Sequence, residues 1–374
     1  MAGKVKILFI IGSFATGGKE RQLAELIKGL SKDKHEIHLL IRSESTHYIN
    51  DLAAHLSSIY NLNSTKIGLK GFFKIASHIN KIKPTILHSW AINTSVFVIL
   101  ARLLTIRGFI FIDGSIRNAP HQFPKFSKEW FMRRFTNLFS DSIVSNSKAG
   151  LLVYKTPLSK SICIWNGFDF NRLQLKTSAS LIKQELNINT RFVVGMVARL
   201  DKFKDWQTFL EAARIILHDR DDVTFIAIGG GNDLEKHKQT IKNWNLERFV
   251  FTGERSDVEN IVNMLDVGVL ASFSEGISNT IMEYMAMAKP VVASGAGGIN
   301  ELVIHNQTGF IYEIGNSEQL AKYILNVINN EKLGIEMGLD GKKRIENYFN
   351  ITQMVFHYEE LYQNLITRNG NITV

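Results

Sequence analysis

Two glutamates that lie eight positions apart carry the clearest chemical signal in the chain. Glu275 follows an apolar run at 267–271 that predicts a buried strand, and Glu283 lies in the helix that the following residues predict. Positions 278–280 offer N-cap side chains for that helix, whose unpaired amides and dipole attract an anion. With Glu275 in the loop and Glu283 in the opening turns, both carboxylates can accept from hydroxyl groups beside that anion. A diphosphate between two hydroxyl-rich ends fits this chemistry, and such a ligand is a nucleotide-sugar.

The chain also offers two cations for such a diphosphate. Arg199 and Lys204 follow an apolar segment at 192–197 that predicts a strand, so both lie in a strand-to-helix loop. A planar guanidinium and a flexible ammonium in such a loop can neutralise a diphosphate from two directions. With these groups and the helix N-terminus in place, the interpretation requires no metal ion and no separate cofactor.

The beginning of the chain predicts a strand at 4–11, a glycine-rich loop at 12–18 and a helix at 20–30. This order opens a doubly wound sheet, and Gly17 and Gly18 let the backbone approach a ligand closely. The glycine spacing is not the dinucleotide pattern, so a nicotinamide cofactor is only weakly supported. A purely structural strand-to-helix turn remains the alternative.

A histidine stands at a predicted strand end in the N-terminal half. His88 follows the strand predicted at 85–87, and open α/β sheets bind their ligands at such carboxyl ends. His88 is therefore a candidate for contact with a sugar or an acceptor. A structural histidine with satisfied hydrogen bonds is the alternative.

These motifs, with others in the expected order along nearly the whole chain, resemble the retaining glycosyltransferases of family 4, which have the GT-B fold. The resemblance rests on Gly17-Gly-Lys-Glu-Arg-Gln-Leu23, Asn146-Ser-Lys148, Asn166-Gly-Phe-Asp169, Arg199-Leu-Asp-Lys-Phe-Lys204, Glu275-x7-Glu283 and Gly297-Gly298. An acidic-capped helix in another kind of α/β protein is the alternative.

The resemblance implies an α/β architecture of two Rossmann-like domains that face each other across a cleft. It makes residues 1–169 the acceptor domain, with a C-terminal helix in 350–374 that packs back on it. It makes residues 170–349 the domain that binds the nucleotide-sugar.

Carried onto this sequence, the resemblance assigns catalytic roles to Glu275, Arg199 and Lys204. Glu275 orients the donor sugar, and Glu283 holds the ribose. The predicted donor-binding residues are Gly17, Gly18, Arg199, Lys204, Gly253, Arg255, Glu275, Gly276, Ile277, Ser278, Asn279, Thr280 and Glu283.

The chain departs from the family pattern after the strand predicted at 108–113. Many family members have a histidine there that touches the donor sugar, whereas this sequence has Asp113 and Gly114, with Arg117 nearby. Asp113 and Arg117 are candidates to replace those contacts with a sugar or an acceptor.

Length and composition indicate the number of domains and the cellular compartment. The 374 residues favour two domains, and the 45% hydrophobic and 21% charged fractions are those of a soluble globular protein. Cys163 is the only cysteine, so no internal disulfide can form, and a reducing, cytoplasmic compartment fits. The apolar run at 96–106 is shorter than a membrane span and predicts a buried helix.

The charge of the chain is unevenly distributed. The net charge is +9, and residues 1–150 carry 21 Lys and Arg against 9 Asp and Glu. The N-terminal half is therefore expected to meet a polyanion or an anionic membrane, at which the protein would be peripheral. No nucleic-acid recognition motif accompanies the charge, so nucleic acid is not an expected partner.

One helix in this half has a mixed character. The stretch 123–135 interleaves aromatic residues with cations, and it either lies in a membrane interface or packs on the sheet with its cations on the surface. Those cations are Lys125, Lys128, Arg133 and Arg134.

Taken together, the sequence predicts a retaining, metal-independent glycosyltransferase. A UDP-sugar is the favoured donor and a GDP-sugar the second choice, and the acceptor is a polysaccharide or a lipid-linked saccharide. The alternatives are a nucleotide-sugar epimerase on the same fold, a transferase to a small soluble acceptor, and a basic membrane-binding or nucleic-acid-binding module without a donor.

Overall fold

Strands and helices alternate along the chain in a computed structural model, which describes residues 3–15, 17–42, 48–63 and 68–370. The chain divides into two units, Met1–Gly167 with Ile351–Val374, and Phe168–Asn350. Thr16, in the predicted glycine-rich loop, and 371–374, at the end of the predicted C-terminal segment, lie outside the described residues.

The first unit has a parallel sheet covered by helices. Its described strands are β1 (Val5–Ile11), β2 (His35–Ile41), β3 (Ser58–Asn61), β4 (Ile86–Ser89), β5 (Ile110–Ile116), β6 (Ser142–Ser145) and β7 (Ser161–Cys163). Its described helices are α1 (Gly18–Gly29), α2 (Ile49–Leu52), α3 (Leu69–Ile82), α4 (Ile92–Ala101), α5 (Lys128–Phe139), α6 (Lys148–Val153) and, from the end of the chain, α15 (Ile351–Arg368). The strands lie in the order β3-β2-β1-β4-β5-β6-β7.

The side chains of β1 alternate between the two faces of this sheet, as they must in a parallel sheet buried on both sides. Phe9 and Ile11 pack in the core that α1 and α15 cover, and Leu8 and Ile10 pack in the core under α3 and α4. The residues that α15 contributes recur at close to helical spacing, so the helix buries one stripe. They are Met354, Tyr358, Leu361, Tyr362 and Leu365. The C-terminal helix therefore packs on the N-terminal sheet, as predicted.

The second unit repeats this plan. Its strands are β8 (Phe192–Val197), β9 (Val223–Ile228), β10 (Phe249–Gly253), β11 (Val267–Leu270), β12 (Val291–Ser294) and β13 (Gly309–Tyr312). Its helices are α7 (Ala179–Glu185), α8 (Trp206–Asp219), α9 (Leu234–Asn243), α10 (Val258–Met264), α11 (Asn279–Ala286), α12 (Ile299–Leu302), α13 (Ser317–Asn329) and α14 (Glu331–Tyr348). The strands are parallel, in the order β10-β9-β8-β11-β12-β13. Two Rossmann-like domains are thus confirmed.

The apolar run at 96–106 is not one buried helix, and this prediction was wrong. Helix α4 ends at Ala101, one 3-10 turn follows, and Leu103 and Ile106 are exposed. The guanidinium of Arg102 donates to the carbonyl of Phe109 at 2.7 Å and also pairs with a carboxylate. This polar anchor ends the buried part of a run whose side chains are otherwise almost all apolar.

The strand predicted at 108–113 is β5, which continues to Ile116, so Gly114 lies inside the strand together with Asp113 and not in the loop after it. The buried Asp113 carboxylate accepts from the Ser95 hydroxyl at 2.8 Å and from the Ser115 N–H at 3.1 Å. Both bonds reach Oδ1, whereas the buried Oδ2 has no hydrogen-bond partner among the described residues.

Helix α5 corrects part of its prediction: Lys125, Lys128 and Arg134 are on the surface and Phe135 packs against the core as expected, but one cation and two aromatic residues differ. Arg133 is buried rather than on the surface: it donates to the Ser115 hydroxyl, and its guanidinium lies 4.5 Å from the centre of the Tyr154 ring. Conversely, Phe126, just before the helix, and Phe131 are exposed and do not pack on the sheet. Among the described residues, no helix combines the length and the apolar character that a membrane span requires.

Candidate functional site

The second sheet has a topological switch point between β8 and β11. From β8 the chain continues to β9 and β10 on one side of the sheet, whereas β11 lies on the other side. Loops that leave two such strands diverge, and open α/β sheets bind ligands in the crevice between them. Segment 198–205 follows β8 and segment 271–278 follows β11. The cation pair and the first glutamate predicted from sequence therefore reach the same edge of the sheet.

Backbone hydrogen bonds hold these two loops together. The N–H of Phe273 donates to the carbonyl of Phe203 at 3.2 Å, and the N–H of Asp205 donates to the carbonyl of Ala271 at 3.0 Å. The Ser272 hydroxyl also donates to the Phe203 carbonyl, at 3.2 Å. The relative position of the loops is therefore set by main-chain contacts and does not depend on their charged side chains.

The charged groups of the two loops form an ion pair. Lys204 Nζ contacts Glu275 Oε1, and the two side chains are only 20% and 12% exposed. A pair this sheltered from water is screened by salt less than a surface pair. The structure thus brings together two of the three residues that the resemblance implies are catalytic.

Helix α11 begins beside this pair. Of the three cap candidates the structure selects Ser278, whose hydroxyl accepts from the N–H of Ile281 at 3.5 Å. Glu283 is the fifth residue of the helix and is buried, so Glu275 lies in the loop and Glu283 in the helix, as predicted. The N–H of Gly298 donates to the Glu275 carbonyl at 3.0 Å, which ties the predicted Gly-Gly segment to the same loop.

The other predicted residues of this loop have graded exposure. Gly276 and Ile277 are buried, and Asn279 and Thr280 at the start of α11 are half-buried.

Arg172 is a residue of this site that sequence reasoning missed. Its guanidinium lies 3.0 Å from Glu259 Oε1 and 3.7 Å from Glu283 Oε1. Arg172 therefore bridges a carboxylate of α10 and the predicted ribose ligand on α11. The available signal was weak, because Arg172 follows the family-like segment that ends at Asp169 by three positions and belongs to no motif of its own.

Arg199 is the most accessible charged group of the site. Its side chain is 79% exposed, and its guanidinium lies 3.1 Å from Asp201 Oδ2. The backbone below it depends on two glycines: Gly229 and Gly231 have φ of 141° and 153°, and a Cβ at either position would clash with a carbonyl of segment 198–200. The glycine turn after β9 therefore positions the Arg199 loop.

Gly253 and Arg255 lie apart from the other donor residues. Gly253 ends β10, which is two strands from β8, and its φ is 70°. Arg255 pairs with Asp257 at 2.8 Å and with Glu185 at 2.6 Å. These hydrogen bonds, first that to Asp257, raise the pKa of Arg255. Its guanidinium is thus engaged by carboxylates of its own unit.

Gly17 and Gly18 begin α1 in the first unit. Gly17 is the N-cap residue, and a Cβ there would clash with the Glu20 carboxylate. Glu20 is buried and lies 3.4 Å from the Ser13 hydroxyl and 3.5 Å from Lys19 Nζ. Gly17 therefore makes room for a buried carboxylate at the carboxyl end of β1.

His88 and Asp113 lie on the neighbouring strands β4 and β5 and are both buried. His88 Nδ1 is 2.9 Å from the Tyr362 hydroxyl, and a Cβ at Gly114 would clash with His88 Nε2. Burial, reinforced by Arg117, holds the pKa of His88 well below its usual value, so the imidazole is neutral.

Arg117 is the member of this group that is partly exposed. Its guanidinium stacks 3.6 Å from the centre of the Trp90 ring, and its Nε donates to the Gly114 carbonyl at 2.8 Å. The structure therefore brings His88, Asp113 and Arg117 together, with only Arg117 open to solvent.

Comparison with known families accounts for both units. Residues 16–172 match the family described as Glycosyltransferase Family 4, and residues 191–330 match the one described as Glycosyl transferases group 1. The chain belongs to glycosyltransferase family 4. The resemblance carried by the sequence motifs is thereby confirmed.

Relatives of this family 4 glycosyltransferase match it over almost the whole length. The capsular polysaccharide biosynthesis glycosyltransferase CapM of Staphylococcus aureus is 24% identical over 91% of this chain and 93% of its own. An Escherichia coli UDP-Gal:alpha-D-GlcNAc-diphosphoundecaprenol alpha-1,3-galactosyltransferase is 26% identical over 97% of this chain and 98% of its own.

A solved structure supports the fold of this family 4 glycosyltransferase. The crystal structure of Anabaena HepE in complex with UDP superposes with a TM-score of 0.83 at 22% identity, over 96% of this chain and 100% of that chain. The GT-B fold implied by the motifs is therefore confirmed.

Proposed function

We propose that this glycosyltransferase moves a hexose from a UDP-sugar to a lipid-linked saccharide, without a metal ion and with retention of the anomeric configuration. Two comparisons support the substrates. The Escherichia coli relative is named for UDP-Gal and a diphosphoundecaprenol acceptor, and HepE was crystallised with UDP. A GDP-sugar as donor and a growing polysaccharide as acceptor are the second choices.

The observation that carries the proposal is the Lys204–Glu275 pair beside the capped start of α11. A donor diphosphate gives the Lys204 ammonium a new anionic partner, and that exchange releases the Glu275 carboxylate to accept from hydroxyls of the sugar. Arg199, exposed above its glycine turn, and the positive end of the α11 dipole add positive charge. Charge that develops on the leaving diphosphate is stabilised most by groups already in place.

We assign the ribose to Glu283. The guanidinium of Arg172 lies 3.7 Å from Glu283 Oε1, so this carboxylate is held beside a cation where it can accept hydrogen bonds from ribose hydroxyls. Gly253 and the backbone near Arg255 are proposed to meet the base. The ion pairs of Arg255 with Asp257 and Glu185 keep its own side chain in a supporting role.

The proposal that no metal ion is needed rests on the positions of the cations and of the possible metal-binding carboxylates. Asp219-Arg220-Asp221 is an Asp-x-Asp triplet, a candidate pair of Mg²⁺ ligands. It begins at the last residue of α8 and precedes the amino end of β9, whereas Lys204 and Glu275 lie at the carboxyl edge of the sheet. Arg199, Lys204 and the helix start are therefore the groups that we propose to neutralise the diphosphate.

The first unit is proposed to hold the acceptor. Gly17 and Gly18 open the strand-to-helix turn, and Arg117 is the accessible group of the cluster that replaces the family histidine. His88 and Asp113 are proposed to position Arg117 and the backbone at Gly114. The basic surface of this unit fits an enzyme that works at the cytoplasmic face of an anionic membrane.

A donor screen tests the proposal. Nucleotide release is followed with UDP-, GDP- and ADP-sugars, each with and without a lipid-linked saccharide, in buffer containing EDTA. We expect acceptor-dependent release from a UDP-sugar, with an α-linked product from an α-linked donor. Free epimerised sugar without acceptor would identify an epimerase, and a thermal midpoint that no nucleotide-sugar raises would identify a binding module.

A further inference from the structure

The surface of the first unit around α5 carries a pocket that the proposed transfer reaction does not use. It has a volume of about 100 Å³, and its lining combines aromatic and cationic side chains. Those used below are Phe123, Trp130, Tyr154, Lys125, Arg134 and Lys155.

The outer cations of this pocket have no anionic partner. Lys125, Arg134 and Lys155 are exposed, and none forms an ion pair with any carboxylate of the residues that the structure describes. Between positions 120 and 160 there are seven Lys and Arg and two Asp and Glu. Both carboxylates are engaged, Glu129 with Arg133 at 3.5 Å and Asp141 with Arg102 at 2.8 Å.

The inner wall of the pocket holds an unused donor. Arg133 also lines the pocket and is only 4% exposed, and its Nε has no hydrogen-bond acceptor among the described residues. A buried donor without an acceptor is costly, so an acceptor oxygen entering the pocket would be stabilised there. Burial raises the pKa of Tyr154 to about 12, which keeps its hydroxyl neutral beside such an anion.

Large apolar side chains that neighbour the pocket-lining residues in sequence are exposed. Phe126, Phe131 and Leu152 are 74%, 57% and 74% exposed. Phe126 has a φ of 62°, a backbone conformation that a bulky residue adopts only at a cost, and its ring contacts Trp130 at a centroid distance of 5.3 Å. The fold thus holds an aromatic ring outside the core in a strained conformation. Helix α5 likewise exposes both a cation, Lys128, and an aromatic ring, Phe131.

We propose that this pocket and its surrounding side chains are a docking surface for an anionic phospholipid bilayer. A lipid phosphate enters between Lys125, Arg134 and Lys155 and reaches Arg133, while Phe126, Phe131 and Leu152 enter the boundary between headgroups and acyl chains. Exposed cations together with exposed apolar side chains match a bilayer, because a soluble phosphate ester would bind the cations and leave the rings in water. This docking surface rests on the proposed function in one respect: a lipid-linked acceptor is the reason for the enzyme to bind a membrane.

Co-sedimentation with vesicles tests the charged part of the surface. Wild-type protein is expected to bind phosphatidylglycerol vesicles, to ignore phosphatidylcholine vesicles, and to release as salt rises. Changing Lys125, Arg134 and Lys155 together to Glu should weaken binding about 100-fold, because each exposed cation near an anionic leaflet contributes about fivefold.

The matched control reverses three cations of the same unit away from the pocket. Lys4 and Lys32 are exposed, and Lys28 lies on α1, across the sheet from α4 and α5. Changing these three to Glu makes the same change in net charge and should cost only a few-fold in binding. Equal losses for the two triple variants, or no sedimentation of wild type at any composition, would overturn the proposal.

A second variant tests insertion of the ring. Phe126→Gly removes the aromatic side chain at a φ that favours glycine, so the fold should be kept. Vesicle binding should fall about tenfold, as expected when one large apolar side chain no longer leaves water. Unchanged vesicle binding by Phe126→Gly would refute insertion, and tight binding of soluble glycerol phosphate would show a free phosphate site instead.

UDP binding by calorimetry is measured for every variant. The altered residues all lie in the first unit, and the proposed donor residues Lys204, Glu275 and Glu283 lie in the second. Lost vesicle binding with normal UDP binding supports the docking surface. Wild-type vesicle binding without any UDP binding would refute the proposed function and leave the docking surface in place.

Discussion

The two units hold their polar side chains in different surroundings. Around α11 the charged side chains pair with one another while keeping some contact with water, as Lys204 and Glu275 do. In the first unit His88 and Asp113 are buried completely and are held by hydroxyl groups of neighbouring helices, Tyr362 on α15 and Ser95 on α4.

This difference indicates which side chains can exchange a protein partner for a ligand. An ion pair at the edge of the sheet can exchange partners with an ionic ligand, because the ligand offers a new anion to the ammonium and hydroxyl donors to the carboxylate. A fully buried group cannot leave its partner without opening the structure, since an unpaired polar group in the core is costly. We therefore expect ligand exchange at the ion pair of the second unit, and a structural role for the buried cluster, which joins α15 to the first sheet.

The largest expected effect breaks the exchangeable pair. Lys204→Ala removes the proposed diphosphate contact and leaves Glu275 without its cation, so kcat/KM should fall roughly 30- to 5,000-fold, or about 2–5 kcal/mol. Lys202→Ala, two positions away and exposed, is the matched control and should stay near wild type. Near-normal donor affinity and turnover in Lys204→Ala would end the assignment.

The next effect separates the two carboxylates. Glu283→Gln should weaken UDP binding by about 1.5–3 kcal/mol, the contribution of a hydrogen bond to a charged group. Glu275→Gln should leave UDP binding largely intact but lower the rate of sugar transfer. Calorimetry with UDP and kinetics with the UDP-sugar measure the split, with Glu235→Gln on exposed α9 as control. Equal losses of UDP binding in both variants would remove the division of labour.

A smaller effect sharpens the description of the buried cluster. Because the pKa of folded His88 is lowered, its contribution to stability is present above the unfolded pKa of about 6.5 and is lost as the pH falls below it. Over that range the free energy of unfolding should fall with pH by at most about 1.4 kcal/mol per pH unit from this residue.

The matched variant is His88→Asn, whose side chain can keep the bond to Tyr362. It should cost about 2 kcal/mol at pH 7.5 and show a shallower loss of stability between pH 6.5 and 5. Other buried histidines are common to both proteins, so the difference between the two denaturation profiles isolates His88. Parallel profiles would mean that His88 is protonated in the folded protein.

The smallest effect compares two helix caps of the second unit. Ser278 caps α11 at the site, and Ser178 caps α7 by accepting from the N–H of Leu181 at 3.4 Å. Each change to Ala should cost about 1 kcal/mol of stability. Only Ser278→Ala should also weaken UDP binding, because only that helix start is proposed to meet the diphosphate. A loss of UDP affinity in Ser178→Ala would show that the effect reports stability and not contact.

Local sequence pattern alone predicted much of the secondary structure around the site. The strand at 267–271 and the helix after it follow from apolar periodicity, a cap residue and a proline, which act over a few positions. The same holds for β8 and for the loop with Arg199 and Lys204. Family membership was also within reach, because the motifs are short segments whose residues are neighbours in sequence.

Contacts between distant segments were decided only by the tertiary structure. Glu275 and Lys204 are 71 positions apart and Arg172 and Glu283 are more than 100 apart, so nothing local indicates that they pair. Arg133 shows the limit most clearly. Its sequence neighbours make it one more surface cation, whereas the structure buries it against Ser115 and Tyr154. Apolar periodicity reports which face of an element is buried, but a charged side chain is buried wherever distant groups supply its hydrogen bonds, and those groups converge only when the chain has folded.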